Sequence, residues 1–340
     1  MSVRVGVIGV GVMGADHARS LATLIPGAVV SAIADIDLAR ARQLSLELGA
    51  QAFADAAELI ESKSVDAVLI ASHDSTHAAL TIAAVALGKP VLCEKPLALT
   101  VEEAASVVDA EWAAGTSLVS VGFSRRFDPA TVALRDSVLS GAIGRPLIAH
   151  AIHRNVSTSP DGDSASTVMN TAIHEIDEIP WVLHSPIIDV SWHAPASTSL
   201  LPSRQDPQLI LLRPDDGTLT TVEVFVNALY GYDVRLEVAG ERGTVSLADS
   251  SLLVRNAHLG RTIDYPEDWR PRFAEAYRAE LHAWIGSIIT GIPSPAMATA
   301  IDGYRATLVA AAVIVSMNAN GSTTPVVYPH ESNFSQAPKE

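Results

Sequence analysis

The sequence predicts an α/β fold in two parts. A doubly wound parallel sheet fills residues 1–122, and an α+β domain with a mainly antiparallel sheet fills 123–340. Three observations carry this. Short β-branched runs alternate with Ala- and Leu-rich helical stretches through the first 122 residues. A glycine-rich turn closes the first of those runs. From Phe123 the rhythm changes, and strand-like runs follow one another across turn residues. A chain of 340 residues exceeds one comfortable hydrophobic core and suits two.

Composition narrows the function classes. Apolar residues make up 48% of the chain and charged residues only 18%, and the mean hydropathy is +0.26. Such a chain is globular, and its sparse surface charge points to burial against copies of itself, as a homodimer or homotetramer. The net charge of −15 argues against nucleic acid as a partner, because that binding rests on neutralised phosphates, and against an anionic membrane. The single cysteine, Cys93, excludes a disulfide framework. No leader is recognisable at the N-terminus. The longest uncharged stretch, Ala306 to Pro329, falls short of the roughly 20 apolar residues of a spanning helix. A cytoplasmic protein is expected.

In the first part, Arg4–Ile8, Val29–Ala34, Ala67–Ala71, Val91–Cys93 and Leu118–Gly122 read as strands. Asp16–Leu24, Asp37–Leu48, Ala56–Ser62, Thr76–Leu87 and Val101–Ala114 read as helices. Strictly alternating elements imply parallel strands with right-handed crossovers. Near-continuous apolar strands suit a sheet covered on both faces.

The first strand ends in Gly9-Val10-Gly11-Val12-Met13-Gly14, a G-x-G-x-x-G that follows a strand and opens a helix. In the Rossmann dinucleotide site Gly9 makes the tight turn, Gly11 lets backbone approach the pyrophosphate, and Gly14 lets the helix pack close. The N–H groups at the helix start, with Val12 and Met13, then face the phosphates. Asp35 ends the second strand about 20 residues on, where a carboxylate bonds the ribose hydroxyls and repels a 2′-phosphate. This favours NAD over NADP. The plainer reading makes Asp35 a strand-end residue capping the helix Asp37–Leu48.

Two further loops sit at strand carboxyl ends, where such sheets hold ligands. Ser72-His73-Asp74-Ser75-Thr76-His77 is polar after an apolar strand, so Ser72, His73 and His77 are cofactor candidates. Asp74 and Ser75 are also good helix caps. Glu94-Lys95-Pro96 puts a charged pair where a buried strand emerges, which packing alone does not favour. Cys93 reads as packing.

Along Ser166–His184, Asn170, His174, Asp177 and Trp181 stand at i, i+4, i+7 and i+11, one helical face. Ile173 and Ile176 belong to a packing face, Glu175 and Glu178 to a solvated one, and Pro180 should kink or end the helix. A histidine and an aspartate one turn apart suit proton transfer. The alternative is a surface helix carrying one of the 11 histidines. A metal site gathered from His150, His153, His174, Asp177 and His184 lacks the helical H-x-x-x-H spacing, so none is expected.

In the second part, strands are expected at Pro146–Arg154, Asp189–His193, Gln208–Leu212, Leu219–Leu229, Val234–Val238, Thr244–Leu247 and Leu252–Arg255. Turn signals at 214–217 and 240–243 make them antiparallel neighbours. Leu147, Ala149, Ala151 and His153 share one face of the first, with Asn155 next along. Phe273, Tyr277, Leu281 and Ile285 form an apolar helical stripe, a second helix runs over Gly303–Met317, and the tail after Asn318 is loosely held.

The sequence resembles the glucose–fructose oxidoreductase, inositol dehydrogenase and rhizopine-catabolism (Gfo/Idh/MocA) family. The resemblance runs from about residue 3 to about residue 316. It rests on the glycine motif, Cys93-Glu94-Lys95-Pro96-Leu97, Gly122-Phe123-Ser124-Arg125-Arg126-Phe127-Asp128 and Ile173-His174-Glu175-Ile176-Asp177. His153-Arg154-Asn155, Tyr230-Gly231-Tyr232-Asp233 and the segment Arg272–Tyr277 point to its inositol dehydrogenase branch. It implies an open antiparallel sheet in the second domain whose outer face makes dimers and tetramers. It further implies Lys95 between nicotinamide and substrate, a cis peptide before Pro96, and Glu94 at the nicotinamide ribose. Arg125, His153, Asn155 and Tyr232 would line a polyol pocket, with Asn170 and Asp177.

The activity so implied is NAD-dependent oxidation of a secondary hydroxyl on a cyclic polyol, with His174 as base and Lys95 steadying the alkoxide. One position departs from the pattern: that branch carries Asp four residues before the histidine, where this chain has Asn170. An amide still donates and accepts hydrogen bonds but holds no charge. A sugar or anhydro-sugar dehydrogenase or aldose oxidoreductase is therefore an alternative. A non-catalytic NAD- or sugar-binding sensor is a third reading, disfavoured because Lys95 and His174 are both present.

Overall fold

A computed structural model describes residues 2–200, 203–248 and 254–328. The chain forms two compact units, Met1–Leu134 with Asp268–Thr307, and Arg135–Glu267 with Leu308–Glu340.

The first unit opens β1 (Val3–Ile8), α1 (Val12–Thr23), β2 (Ala28–Ala34), α2 (Leu38–Leu48), β3 (Gln51–Phe53), α3 (Ala56–Glu61) and β4 (Ala67–Ile70). It continues with α4 (His77–Ala86), β5 (Val91–Glu94), α5 (Val101–Ala114), β6 (Val119–Gly122) and the start of α6 (Pro129–Leu139). Its strands pair in the order β6-β5-β4-β1-β2-β3, all parallel. The alternating pattern dictates this: Val5, Val7, Leu69 and Leu92 are fully buried because helices cover both faces. Asp37 caps α2 through the Ala39 and Arg40 amides, and a Thr100–Glu103 capping box starts α5. The cap at the Ser72 loop differs from expectation. His73, not Asp74 or Ser75, accepts an amide hydrogen at the short 3₁₀ turn Asp74–Thr76. Short β3 and helix α6, which begins with a proline, were not anticipated from the sequence.

In the second unit β7 (Pro146–Arg154), α7 (Ser164–Thr167), a π-turn over Val168–Ala172 and α8 (Ile173–Leu183) come first. There follow β8 (Ile187–His193), β9 (Gln208–Pro214), β10 (Leu219–Phe225), β11 (Asp233–Gly240), β12 (Gly243–Ser246) and the hairpin β13 (Val254–Ala257) and β14 (Gly260–Ile263). The strand expected at Leu252–Arg255 begins outside the described residues. The sheet order is β12-β11-β7-β10-β9-β8, antiparallel except where β7 and β10 run parallel. That pair departs from the expected antiparallel neighbours because the two strands are far apart in sequence and need no hairpin. The segment after Asn318 is anchored as far as Tyr328, whose hydroxyl donates to the Ile187 carbonyl at 2.8 Å; β16 (Thr324–Pro325) pairs with β8.

The first unit also takes in residues 268–307, which the sequence reading assigned to the second domain. The reason lies in α9 (Trp269–Thr290): its stripe of Leu281, Trp284 and Ile285 joins the core built on Val5, Val7, Leu21 and Val30. Each such side chain contributes about 1.5–3 kcal/mol on burial. After it, β15 (Ala298–Thr299) adds an antiparallel edge to β6, and α10 (Ala300–Asn318) follows. Among the described residues α10 alone is long and apolar enough to cross a bilayer, yet over half of it is buried.

The Gly122–Asp128 segment fastens this return. Asp128 accepts from Arg272 at 2.8 and 3.1 Å while also holding the Thr131 amide and hydroxyl. Arg126 pairs with Asp302 at 3.4 Å, and Arg125, almost fully buried, lies over the Phe273 ring. Burial works to raise the Asp302 carboxyl, but Arg126 and the Thr299 bonds outweigh it and hold it low. Removing one partner of a buried pair leaves an uncompensated charge. Asp128→Ala should therefore cost about 3 kcal/mol, read as a lower urea midpoint by circular dichroism; an unchanged midpoint would show that the pair adds nothing.

Candidate active site

The first unit carries the glycine loop. Gly9 turns at φ +81°, and a Cβ there would meet the Ser72 Cα at 2.4 Å; one on Gly14 would meet the Gly9 carbonyl oxygen at 1.8 Å. These contacts press the start of α1 against β1 and β4. Around Gly11 the space is open, and α1 begins with neither a side-chain cap nor an acidic first turn. Its leading amides are left for an anionic ligand. Beside it lies a cavity of about 630 Å³ lined by Gly9, Gly11, Asp35, Arg40, Ser72 and His73. Asp35 accepts from the Val10 amide at 2.7 Å and the Asp37 amide at 2.8 Å, with Arg40 at 3.6 Å. It is thus fixed at the cavity wall, beyond the plain capping role. An open cradle at Gly11, bare helix amides and a fixed carboxylate together fit a dinucleotide. Val12 is exposed, and Met13 accepts from the Trp269 indole at 3.3 Å.

Of the loop candidates, Ser72 and His73 line that cavity and His77 does not. His77 is buried, its ring nitrogens 2.7 Å from the Pro96 carbonyl and 3.1 Å from that of Ser72. Two backbone acceptors hold its ring in the interior, outside the lining of that cavity. The Lys95–Pro96 peptide is cis. Glu94 bonds His17 of α1 at 2.8 Å through one oxygen and the Lys95 amide at 3.2 Å through the other. Burial works to raise the Glu94 carboxyl; His17, Lys95 and His77 outweigh it and keep it below the usual range.

The second unit carries a histidine cluster. His153, ending the inward row of β7, lies 6.0 Å from the His174 ring and 5.8 Å, edge-on, from Tyr232. Its Nδ1 donates to Glu175 at 3.0 and 3.2 Å. Nearby in sequence, Asn155 is pinned by backbone bonds to Phe225 and Ala228, with its side-chain oxygen buried and unbonded among the described residues.

Two expectations for this helix are corrected. Glu175 and Glu178, read as solvated, are 1% and 2% exposed; Glu175 is drawn inward by His153. The single face also breaks. Val168–Ala172 is a π-turn, which inserts a residue into the turn, so α periodicity links His174, Asp177 and Trp181 but not Asn170. Asp177 is buried and Asn170 exposed. Helix α8 also runs through Pro180 to Leu183 before His184 ends it in the left-handed region.

Sequence reasoning missed His17 and Glu175. The signal for His17 was its place four residues before buried Leu21, on the inward face of α1. For Glu175 no local signal exists, because its partner lies 22 residues away on a strand.

Comparisons with known proteins place both halves of the chain. Residues 3–123 match the model of the oxidoreductase family with an NAD-binding Rossmann fold, and residues 131–246 match the GFO/IDH/MocA C-terminal domain. Inositol 2-dehydrogenase 2 of Paenarthrobacter aurescens is 50% identical, covering 96% of this chain and 100% of its own. Inositol 2-dehydrogenase of Klebsiella pneumoniae is 40% identical over 96% of each. Among solved structures, myo-inositol dehydrogenase from Lactobacillus casei, in complex with NAD(H) and myo-inositol, superposes with a TM-score of 0.92 at 33% identity, covering 96% of this chain and 98% of that one. With both halves matched and half its residues shared with a full-length relative, the chain belongs to the Gfo/Idh/MocA family of NAD-binding oxidoreductases.

Proposed function

We propose that this protein oxidises a secondary hydroxyl of a cyclic polyol, in the simplest case an inositol. The observation that carries the reading is the 50% identity, over nearly the whole chain, to an inositol 2-dehydrogenase. NAD, held by Gly9, Gly11, Val12, Met13, Gly14, Asp35, Ser72, His73 and Glu94, supplies the acceptor for the hydride. The remaining work falls to side chains. His174 takes the hydroxyl proton as a general base. The Lys95 ammonium stabilises charge developing on the alcohol oxygen. Arg125, His153, Asn155, Asp177 and Tyr232 bind the ring hydroxyls. The unbonded oxygen of Asn155 supports this part, since a buried acceptor without a donor favours a ligand hydroxyl.

A sugar or anhydro-sugar is the second reading, favoured by one observation: Asn170 stands exposed on the π-turn with an amide in place of a carboxylate. We also read the protein as a cytoplasmic homodimer or homotetramer without nucleic-acid or membrane partners. The net charge of −15 and the 18% share of charged residues support this.

The deciding assay follows NADH absorbance with NAD and a panel of inositols, hexoses and anhydro-sugars. Turnover with an inositol is expected. His174→Ala should lower kcat by about 10²–10⁴-fold, and Lys95→Ala by about 10²-fold or more. Turnover with hexoses alone would move the substrate to the second reading, and full activity in either variant would remove that residue from the chemistry.

Cofactor choice gives an independent test. Asp35→Ser removes the carboxylate that repels a 2′-phosphate and leaves Arg40 beside the cavity. The ratio of kcat/KM for NADP over NAD should rise by about tenfold or more, equivalent to about 1.4 kcal/mol. An unchanged ratio would mean that Asp35 does not select the cofactor.

A further inference from the structure

His77 sits between two carbonyl oxygens, those of Pro96 and Ser72, at 2.7 and 3.1 Å from its two ring nitrogens. A neutral imidazole has one N–H and one lone pair, so it satisfies only one such acceptor; an imidazolium satisfies both. The ring is buried at the start of α4, where repulsion between an imidazole lone pair and a carbonyl would go unrelieved by water. The two carbonyls belong to different turns. Ser72 follows β4, in the turn that closes on Gly9. Pro96 follows Lys95 directly at the end of β5.

We propose that His77 is a buried imidazolium and a positioning residue, tying the Ser72 turn to the Lys95–Pro96 turn and so fixing where Lys95 stands. The proposal rests on the catalytic reading of Lys95 and adds to it a second support. The Lys95 turn is held on one side by His17 through Glu94, at 2.8 and 3.2 Å, and on the other by His77 through Pro96. Among the groups around the ring, burial opposes the charge, while the Cys93 sulfur and the two carbonyls favour it, raising the imidazole to about 10. Glu94, the neighbouring carboxylate of β5, is drawn down in turn by His77.

The first arm of the test is protonation. In the wild-type chain labelled with ¹⁵N-histidine, long-range proton–nitrogen spectra at pH 8 should show both His77 ring nitrogens protonated, with the signal assigned by its loss in His77→Gln. A ring with one bare nitrogen at pH 8 would overturn the proposal. The second arm separates kcat from cofactor binding. His77→Gln should lower kcat with NAD and myo-inositol by about tenfold or more, as expected of a displaced catalytic group, while the Kd for NAD stays within about twofold, a shift of only about 0.4 kcal/mol. Unchanged kcat would refute the positioning role, and joint loss of NAD affinity would return His77 to the cofactor site. Should His77→Gln fail to fold, His77→Asn supplies both the assignment and the kinetic comparison. Should Lys95→Ala keep full activity, the reading of Lys95 fails while the protonation result stands.

Discussion

The contact between Gly9, Gly14 and Ser72 sets the first unit. With a Cβ excluded at 1.8 Å on Gly14 and at 2.4 Å on Gly9, the start of α1 and the turn after β4 close on the same backbone. The two histidines beside the Lys95 turn hang from those two elements. Helix α1 carries His17, which holds Glu94; the β4 turn carries Ser72, whose carbonyl holds His77. The glycine motif thus does two things at once. It clears room for a pyrophosphate, and it fixes the spacing from which two histidines brace the Glu94–Pro96 turn. A side chain at Gly14 would disturb both ends of that brace together.

Charge buried in this protein is paired across long stretches of sequence. Arg126 with Asp302 and Asp128 with Arg272 bind the returning segment to the first unit. A buried pair is a weak source of net stability, since desolvation consumes most of the attraction. Its strength is in forbidding alternatives, because no other arrangement satisfies both ions. The Arg125–Asp128 motif is accordingly more than a substrate-facing feature. Arg126 and Asp128 hold α9 and α10 in place, and Arg125 is seated over the Phe273 ring of α9.

How far the sequence could be read follows from the range of the interactions. Strands β1, β2, β4, β5 and β6 and the helices between them were legible because each is set by a local period and a local turn. The nucleotide half was legible for a related reason: the glycines, Asp35 and the Ser72 loop each stand at the carboxyl end of a strand, a place the alternation itself marks, even though Asp35 bonds the distant Val10 amide and Ser72 closes on Gly9. The inward stripe of α9 was visible too, but not that its partner was β1, some 270 residues earlier. Helix α8 failed differently. Periodicity counts every residue as 100° of rotation, and the π-turn at 168–172 breaks that count before His174 is reached. Glu175 then turns inward for a histidine on β7 that no helical wheel contains.

The same distinction separates the two units. In the first, Asp35 is fixed by backbone, its two oxygens held by the Val10 and Asp37 amides at the cavity wall. In the second, side chains are fixed by side chains. His153 takes its orientation from Glu175, and Tyr232 meets it edge-on at 5.8 Å. A substitution at Glu175 therefore reaches the His153 ring, and through it Tyr232, from a position outside the cluster's aromatic contacts. Such a network can be altered by changes outside the motifs that mark the family, whereas the glycine loop and Asp35 are held by backbone that a side-chain change leaves in place. Asn170 fits that division: it lies exposed where the helical frame is already interrupted, so its placement follows the π-turn and not the face that carries His174 and Asp177.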